Sequence, residues 1–385
     1  MSAAIDDVAI VGAGPAGALA ALVLARRGAR VRLIDRARFP RPKLCGDSLN
    51  PGALAVLARH LDVAALAALG QPIHGMRLSG PSGASVRGDY PDGIAGLSIT
   101  RARLDAWLVD EACRAGVQMD DGVLVRRVAT DGDDATGVIL PTARGDRHLP
   151  ARLVIGADGR GSVVARQFGL AHAPAQPRRW AIGAYAHGVA GVDPVCGEMH
   201  VRAGSYVGIA PVAGGLTNVC LVVPYSRAQR DVRTPWASIV AAVAADPLLA
   251  SRFTQATPAA APIVLGPMAV DVARPGHGGM LLAGDAAGFI DPMTGDGMRL
   301  AVLGGQLAAE IAGDVLAGRL DRTEAVARLQ ARRRATFAAK WRFNRGLRAL
   351  VDVDPALRLA TFAARAWPAP FEALVRYAAD IHAAA

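Results

Sequence analysis

The sequence predicts an α/β chain in which an antiparallel β-sheet is inserted into a parallel-sheet domain, with a helical region at the C-terminal end. Three observations predict it. Strand, glycine-rich turn, helix and second strand follow one another between Val8 and Ile34. Two later apolar strands, Leu153–Ile155 and Gly279–Ala283, each run into a turn that pairs glycine with an acid. From about Trp180 to Pro267 an alternation of period two replaces helical periodicity, apart from Trp236–Ala245. A chain of 385 residues, 52% hydrophobic and 20% charged, is long and apolar enough for such layers and excludes disorder.

The elements follow in order. Val8–Val11, Gly12–Gly17, Ala18–Arg27 and Val31–Ile34 make one βαβ unit. Arg101–Ala115 carries Leu104, Leu108 and Ala112 on one helical face and stops at Gly116. Strands are expected around Val123–Val128 and Val138–Leu140, and Leu153–Ile155 is a short buried strand ending at Gly156-Ala157-Asp158-Gly159. Gly279–Ala283 leads into Gly284-Asp285, and a long helix runs from about Gly297 to Leu316. Beyond it, helices are broken by Pro355, Pro368 and Pro370. No repeat or linker divides the chain. Residues 1–75, 101–175 and 271–320 therefore read as one discontinuous domain. The inserted sheet takes 76–100 and 176–270, and 321–385 form the helical region.

Four dispersed cysteines (Cys45, Cys113, Cys196, Cys220) without a CxxC pair argue against a disulfide scaffold and for a reducing cytoplasm. Scattered histidines give no metal motif, so no metal is expected. The apolar run begins too close to the N-terminus for a secretory signal. The uncharged stretch Ala203–Ser226 alternates like paired strands, with glycines, prolines and Asn218 inside it, and does not read as a membrane span. The net charge of +10 rests on 43 basic residues, of which only Lys43 and Lys340 are lysine. Ten basic residues fall between Arg319 and Arg348 against two acidic ones, Asp321 and Glu324. The first expectation there is a solvated helix packed on its own domain. The alternative is a docking face for an acidic carrier protein or an anionic membrane, which would place the protein at the inner membrane face. No nucleic-acid partner is expected.

Gly12-Ala13-Gly14-Pro15-Ala16-Gly17 is a GxGxxG between strand and helix. Its first glycine permits the turn, the second admits a pyrophosphate, and the third lets helix and strand pack, while the helix N-terminus attracts the anion. Asp35, closing the second strand, is placed to accept ribose hydroxyls. No second GxGxxG exists to hold a nicotinamide cofactor in a domain of its own.

Two further segments complete a pattern: Ala157-Asp158-Gly159-Arg160-Gly161-Ser162, and Leu281-Leu282-Ala283-Gly284-Asp285-Ala286-Ala287-Gly288 continuing through Asp291 to Gly295-Asp296-Gly297-Met298. With the N-terminal fingerprint, they make the chain resemble the FAD-dependent oxidoreductases of the para-hydroxybenzoate-hydroxylase fold, a group of flavin monooxygenases and geranylgeranyl reductase-like enzymes. The resemblance covers roughly residues 7 to 320 and implies a Rossmann-like FAD domain of the glutathione-reductase type 2 kind. It implies that Gly12, Gly14, Ala16 and Gly17 face the FAD pyrophosphate. Asp35 would meet the adenosine ribose and Val125 the adenine, with Arg36 a further cofactor-binding residue. Arg41 and Arg101 would be FAD-contacting arginines, and Asp285 would bind the ribityl chain. Cys45 and Gly46 would lie beside the flavin, the Gly295, Gly297 and Met298 turn would face its N1–C2=O edge, and Asp158 would stand where FAD and a transient NAD(P)H both pass.

The family's branches differ in reaction. Halogenases carry a channel lysine and usually a WxWxIP segment, which this chain lacks. Geranylgeranyl reductases match at Lys43-Leu44-Cys45-Gly46. Their aromatic YxWxFP-like strand corresponds here to Tyr206-Val207-Gly208-Ile209-Ala210-Pro211, with small residues in place of the aromatics. That departure tips the reading toward NAD(P)H-dependent hydroxylation of a lipophilic or aromatic molecule. The alternative is reduction or dehydrogenation of C=C or C–C bonds in an isoprenoid, a quinone or a carrier-bound substrate. Prenyl-protein escort proteins share the fold but degrade the FAD motifs, which are intact here. Cys45 and Tyr206 are the candidate catalytic residues, with Tyr185, Glu198 and His200 as further polar groups of the inserted sheet.

Overall fold

The structure, a computed structural model, describes residues 5–81, 83–172, 179–289, 292–351 and 353–381. Ile290 and Asp291, part of the third motif, lie outside them.

β1 (Asp6–Val11) sits in the middle of a parallel sheet, between β2 (Val31–Asp35) and the end of the strand Gly145–Gly156. Met280–Leu282 and Gln118–Asp121 extend the sheet on its two sides. Such strands are covered on both faces and so are apolar at almost every position. Val8 and Ile10 face α1 (Pro15–Ala25), α2 (Arg101–Arg114) and α3 (Gly297–Leu316), whereas Ala9 and Val11 face a β-meander and the short helix Val163–Gln167. The meander differs from expectation. Its strands are Arg127–Asp131, Asp134–Thr142 and the first half of Gly145–Gly156, while residues 123–126 are not strand. Leu153–Ile155 is thus the buried end of a twelve-residue strand that serves two sheets. Its outer half is polar, which hides it from a search for apolar runs.

α1 is apolar all round because it is buried all round. A Cβ on Gly305 of α3 would lie 2.2 Å from the Ala16 carbonyl, so the two helices pack almost backbone to backbone. α2 starts at its N-cap Thr100, which accepts from the Arg103 N–H, and gives way to Gly116 at φ +95°.

The second sheet is built from Arg179–His187, Leu216–Pro224, Ser205–Val212, Cys196–Arg202, Gly75–Ser79 and Ser85–Asp89, in that spatial order. All neighbours are antiparallel except Cys196–Arg202 with Gly75–Ser79, a parallel pairing that brings the early segment into the sheet. The uncharged stretch after Ala203 is the hairpin Ser205–Val212 and Leu216–Pro224, turned at Gly214-Gly215. No helix among the described residues is long and apolar enough to cross a membrane. One face of the sheet packs under the helix Pro235–Ala244. The other faces α4 (Arg322–Val351) and α5 (Asp354–Ala366), and α6 (Pro368–Ala378) packs beside Ser85–Asp89.

A charged network is buried within this sheet. Arg252 donates two hydrogen bonds to Glu198, at 2.7 and 2.8 Å; His200 Nε2 lies 2.9 Å from Glu198 and its Nδ1 2.8 Å from Ser79 Oγ. Glu198 and His200 are therefore engaged inside the protein rather than available to orient a substrate. Burial pushes the Glu198 carboxyl up, but hydrogen bonds from His200 and Arg252 outweigh it and hold it at about 2. Against an unfolded value near 4.5, this stabilises the fold fully above about pH 4.5 and is lost as pH falls toward 2. Glu198→Gln is expected to cost about 3 kcal/mol at pH 7 and to flatten the acid limb of the stability curve. Thermal melts across that range check it; an acid limb of unchanged steepness would refute it.

Candidate active site

Three loops meet at the C-terminal edge of the parallel sheet. Gly12 adopts φ +99° and passes so close to the next loop that a Cβ would lie 2.5 Å from the Ala157 carbonyl. A Cβ on Gly284, at the start of the third loop, would lie 2.8 Å from that of Ala16. Gly17 lies under the turn, its absent Cβ 1.9 Å from the Gly12 carbonyl. Gly14 faces outward into a cleft, where a Cβ would find only the guanidinium tips of Arg41 and Arg101, at 3.7 and 3.8 Å.

Those cations are held in place by Asp105. Fully buried on α2, it accepts two hydrogen bonds from Arg101 at 2.8 Å, one turn away, and pairs with Arg41 at 3.1 Å. Lys43 joins them. Burial and the neighbouring Arg101 and Arg41 push its ammonium pKa down, and Asp285 opposes this. Asp285 is itself pushed up by burial and held back by Lys43, Arg101 and Arg160. Arg41 and Arg101 thus stand at the N-terminus of α1, with Lys43 beside Gly159 of the second loop. Gly14 supplies that helix with no side-chain cap, so its first N–H groups are open to a ligand. The arrangement fits a diphosphate.

Beside the turn, Asp35 accepts from the Ala13 N–H at 2.8 Å and the Ala37 N–H at 2.9 Å and lies 3.8 Å from the Arg41 guanidinium, leaving lone pairs for ribose hydroxyls. Arg36 is exposed beside it, and Val125 is buried with Ile34 in the apolar layer beyond. Asp158 accepts from the Val163 N–H at 2.7 Å at the start of the helix Val163–Gln167, which Ser162 caps, while its other oxygen is buried with no partner among the described residues.

Gly46, Gly295 and Gly297 all border open space, with nothing within 4 Å of where a Cβ would be. This leaves a slot with bare walls at the N-terminus of α3. Asp296, the N-cap, makes no cap bond. Instead it accepts from Asn50 at 3.2 Å and Lys340 at 3.4 Å, again leaving the helix N–H groups open. The slot fits a planar ring with a polar edge.

Some residues depart from their expected places. The Ala16 side chain packs against Gly284 at the crossing of α1 and α3, which makes it a helix-packing position. Met298 is a core side chain, so only its backbone is near the slot. Tyr206 is 3% exposed and packed with Val201, Val222 and Leu357; it does not line the cavity beside the slot. Residues alternate across a strand, and Tyr206 occupies a core position. Tyr185, two strands away, takes the polar role. Its hydroxyl donates to Asp47, which also accepts from Asn218 Nδ2 at 2.8 Å. Asn218 further donates to the Cys45 carbonyl at 2.9 Å. The half-buried Cys45 thiol is pushed up by burial, beside Arg101.

Asp47 was not evident in the sequence. It is buried, held at φ +52°, and one of its oxygens has no partner in the protein. Burial pushes it up to about 6, against the hydrogen bonds from Tyr185 and Asn218. The available signals were an acid following Gly46 and an asparagine inside an apolar strand.

A cavity of about 490 Å³ begins at this network. Gly46, Ser48, Asn218 and Gly295 line its inner end. Its walls are apolar: Met199 and Ile209 of the sheet, Phe343 and Leu347 of α4, and Phe371 of α6. Trp367 and Pro370, both exposed, also line it and mark its mouth. A buried cluster fastens the C-terminal helices to the cofactor end. Lys340 pairs with Asp296 and with Asp380 at 3.0 Å and donates to the Tyr377 and Ala378 carbonyls. The basic run of α4 is accordingly divided: Lys340 and Arg333 point inward, Arg333 donating to the Ala287 carbonyl at 2.9 Å, while Arg328, Arg334, Arg342 and Arg345 are exposed.

Comparison with known proteins agrees with this geometry. A model of the FAD binding domain matches residues 6–338. Digeranylgeranylglycerophospholipid reductase 1 of Methanopyrus kandleri is 29% identical over 311 residues, 80% of each chain. Menaquinone reductase of Mycobacterium tuberculosis is 31% identical over 325 residues, 79% of this chain and 76% of its own. In structure, a geranylgeranyl bacteriochlorophyll reductase-like protein of Thermoplasma acidophilum gives a TM-score of 0.80 at 20% identity, over 97% of this chain and 91% of that one. The myxobacterial chondrochloren halogenase CndH gives 0.80 at 24% identity, over 88% and 81%. These two structures bear on the fold alone.

Lys43 offers a test of the cleft. Its charge costs stability in the FAD-free protein: the cost is full below the lowered ammonium pKa and is lost as pH rises from there to the ordinary lysine value of 10.5. Lys43→Met is expected to leave the FAD-free protein as stable or more stable at pH 7, while weakening FAD binding about tenfold or more. Thermal melts and flavin titration check both. A destabilised apoprotein with unchanged FAD affinity would refute the assignment.

Proposed function

We propose that this chain, which belongs to the FAD-binding-domain family of FAD-dependent oxidoreductases, is a reductase that saturates C=C bonds in a long isoprenoid-type substrate. The observation that carries this reading is the apolar cavity between the inserted sheet and the C-terminal helices, which starts at Gly46 and Gly295 and ends at Trp367. Its apolar walls, shared between the inserted sheet and three C-terminal helices, suit a hydrocarbon chain. Two relatives are named as reductases, one of a digeranylgeranylglycerophospholipid and one of menaquinone, which supports reduction over hydroxylation.

FAD, when bound, supplies the electron pair for such a reduction. The residues of the chain do the rest. Arg41, Arg101 and Lys43 hold the diphosphate, with Asp105 fixing the two arginines. Gly46 and Gly295 leave the ring faces bare, and the N-terminus of α3 favours negative charge on the ring edge. The apolar walls exclude water and align the substrate chain along the cavity. Asp47, held by Tyr185 and Asn218 at the inner end, keeps the proton that a reduced carbon needs. NAD(P)H is the proposed transient reductant, docking beside Asp158.

The direct test is anaerobic. Chemically reduced protein is mixed with a geranylgeranyl substrate or a menaquinone, and the product is weighed by mass spectrometry. Reduction adds two hydrogens per saturated bond; a product formed only in air and carrying labelled oxygen would establish hydroxylation instead. The pH dependence gives a second test. With the proton on Asp47, single-turnover reduction falls as pH rises through about 6. Tyr185→Phe removes a hydrogen bond that holds Asp47 down, so that fall is expected to move to higher pH. A limb that stays in place would exclude Asp47 as the proton's holder.

A further inference from the structure

The three most exposed large apolar side chains among the described residues lie close together in the chain: Leu359 at 69%, Phe362 at 67% and Trp367 at 72%. Leu359 and Phe362 belong to α5, and Trp367 closes it. The helix is apolar on two sides for different reasons. Inward, Leu357 is buried and Ala360, Ala363 and Ala364 line the cavity. Outward, Leu359, Phe362 and Ala366 follow at helical spacing and are exposed. A helix that faced only water would carry charge there. Trp367 belongs to both sides, exposed and lining the mouth of the cavity.

We propose that α5 docks on an anionic phospholipid bilayer, with Leu359, Phe362 and Trp367 entering the acyl boundary so that the cavity opens onto lipid. Charge argues for this occupant. From Arg342 to Arg376 the chain carries six arginines (Arg342, Arg345, Arg348, Arg358, Arg365, Arg376) against Asp352, Asp354 and Glu372. Arg342 and Arg345 on the last turns of α4, and Arg358 on α5, are exposed. Apolar and aromatic side chains among arginines match the layering of a negatively charged headgroup region. A second copy would bring the same positive charge to its own face, which disfavours self-association. The purpose of the docking, delivery of a lipid into the cavity, rests on the reductase reading; the binding itself does not.

The test uses the full-length, FAD-loaded protein in flotation with vesicles of phosphatidylcholine, with and without phosphatidylglycerol. The wild type is expected to float with the mixed vesicles, less so at high salt, and hardly at all with phosphatidylcholine alone. Leu359→Ser combined with Phe362→Ser removes only exposed side chains, and is expected to lower partitioning about tenfold or more with an unchanged melting temperature. A blue shift of tryptophan fluorescence on vesicle addition, lost in Trp367→Phe, gives a second readout. The proposal is overturned if the wild type does not float or the double variant floats equally. It is also overturned if light scattering shows a dimer that the double variant dissolves, or if an acidic carrier protein binds this face while vesicles do not. Flotation needs no turnover. A protein that floats but reduces no isoprenoid refutes the substrate reading alone, and one that reduces isoprenoids without floating refutes the docking alone.

Discussion

The architecture depends on a concentration of positive charge held in place by buried carboxylates. Arg41 and Arg101 converge on the outward face of Gly14, Lys43 stands beside Gly159 in the second loop, and the carboxylate that fixes the two arginines, Asp105, is fully buried behind them. Like charges in a confined space repel, and a dianion entering the cleft relieves this. The glycine turn, the bare α1 N-terminus and the close crossing of α1 and α3 bring the cleft to that cluster. Much of the parallel-sheet domain can be read as the support for this one electrostatic demand.

The inserted sheet and the C-terminal helices answer a different demand, that of a dry space adjoining the ring slot. The sheet supplies one wall and α4 to α6 the other. Lys340 ties the end of α6 to the first turn of α3 through Asp296 and Asp380. The cavity and the cofactor slot share Gly46 and Gly295, and this buried charge fastens the helices beside them. The C-terminal segment contributes to the site as well as to the fold.

The sequence made the parallel sheet legible because its signals are local: apolar runs, a glycine turn and the acids at strand ends. The three nucleotide-binding loops were legible for the same reason. Asp47 was not, because its meaning lies in Tyr185 and Asn218, which are 138 and 171 residues away. Tyr206 and Tyr185 look alike in the sequence because a sheet's inner and outer positions cannot be told apart until its neighbours are known. The charge of α4 is plain in the sequence, but a charge total does not say which turn of a helix faces inward. Arg333 and Lys340 are buried partners, and the remaining exposed arginines are fewer than the total suggests. The cavity was hidden for another reason: its walls come from a sheet and from helices far away in the chain, each of which reads as ordinary core.

The distribution of the two lysines has a consequence of its own. One stands in the cofactor cleft and the other is sealed between α3 and α6. The outer positive charge is therefore guanidinium throughout, permanent at any physiological pH and beyond the reach of acetyl transfer or other amine-directed modification. Neutralising that outer charge therefore falls to salt, to the opposing surface, or to chemistry on arginine itself.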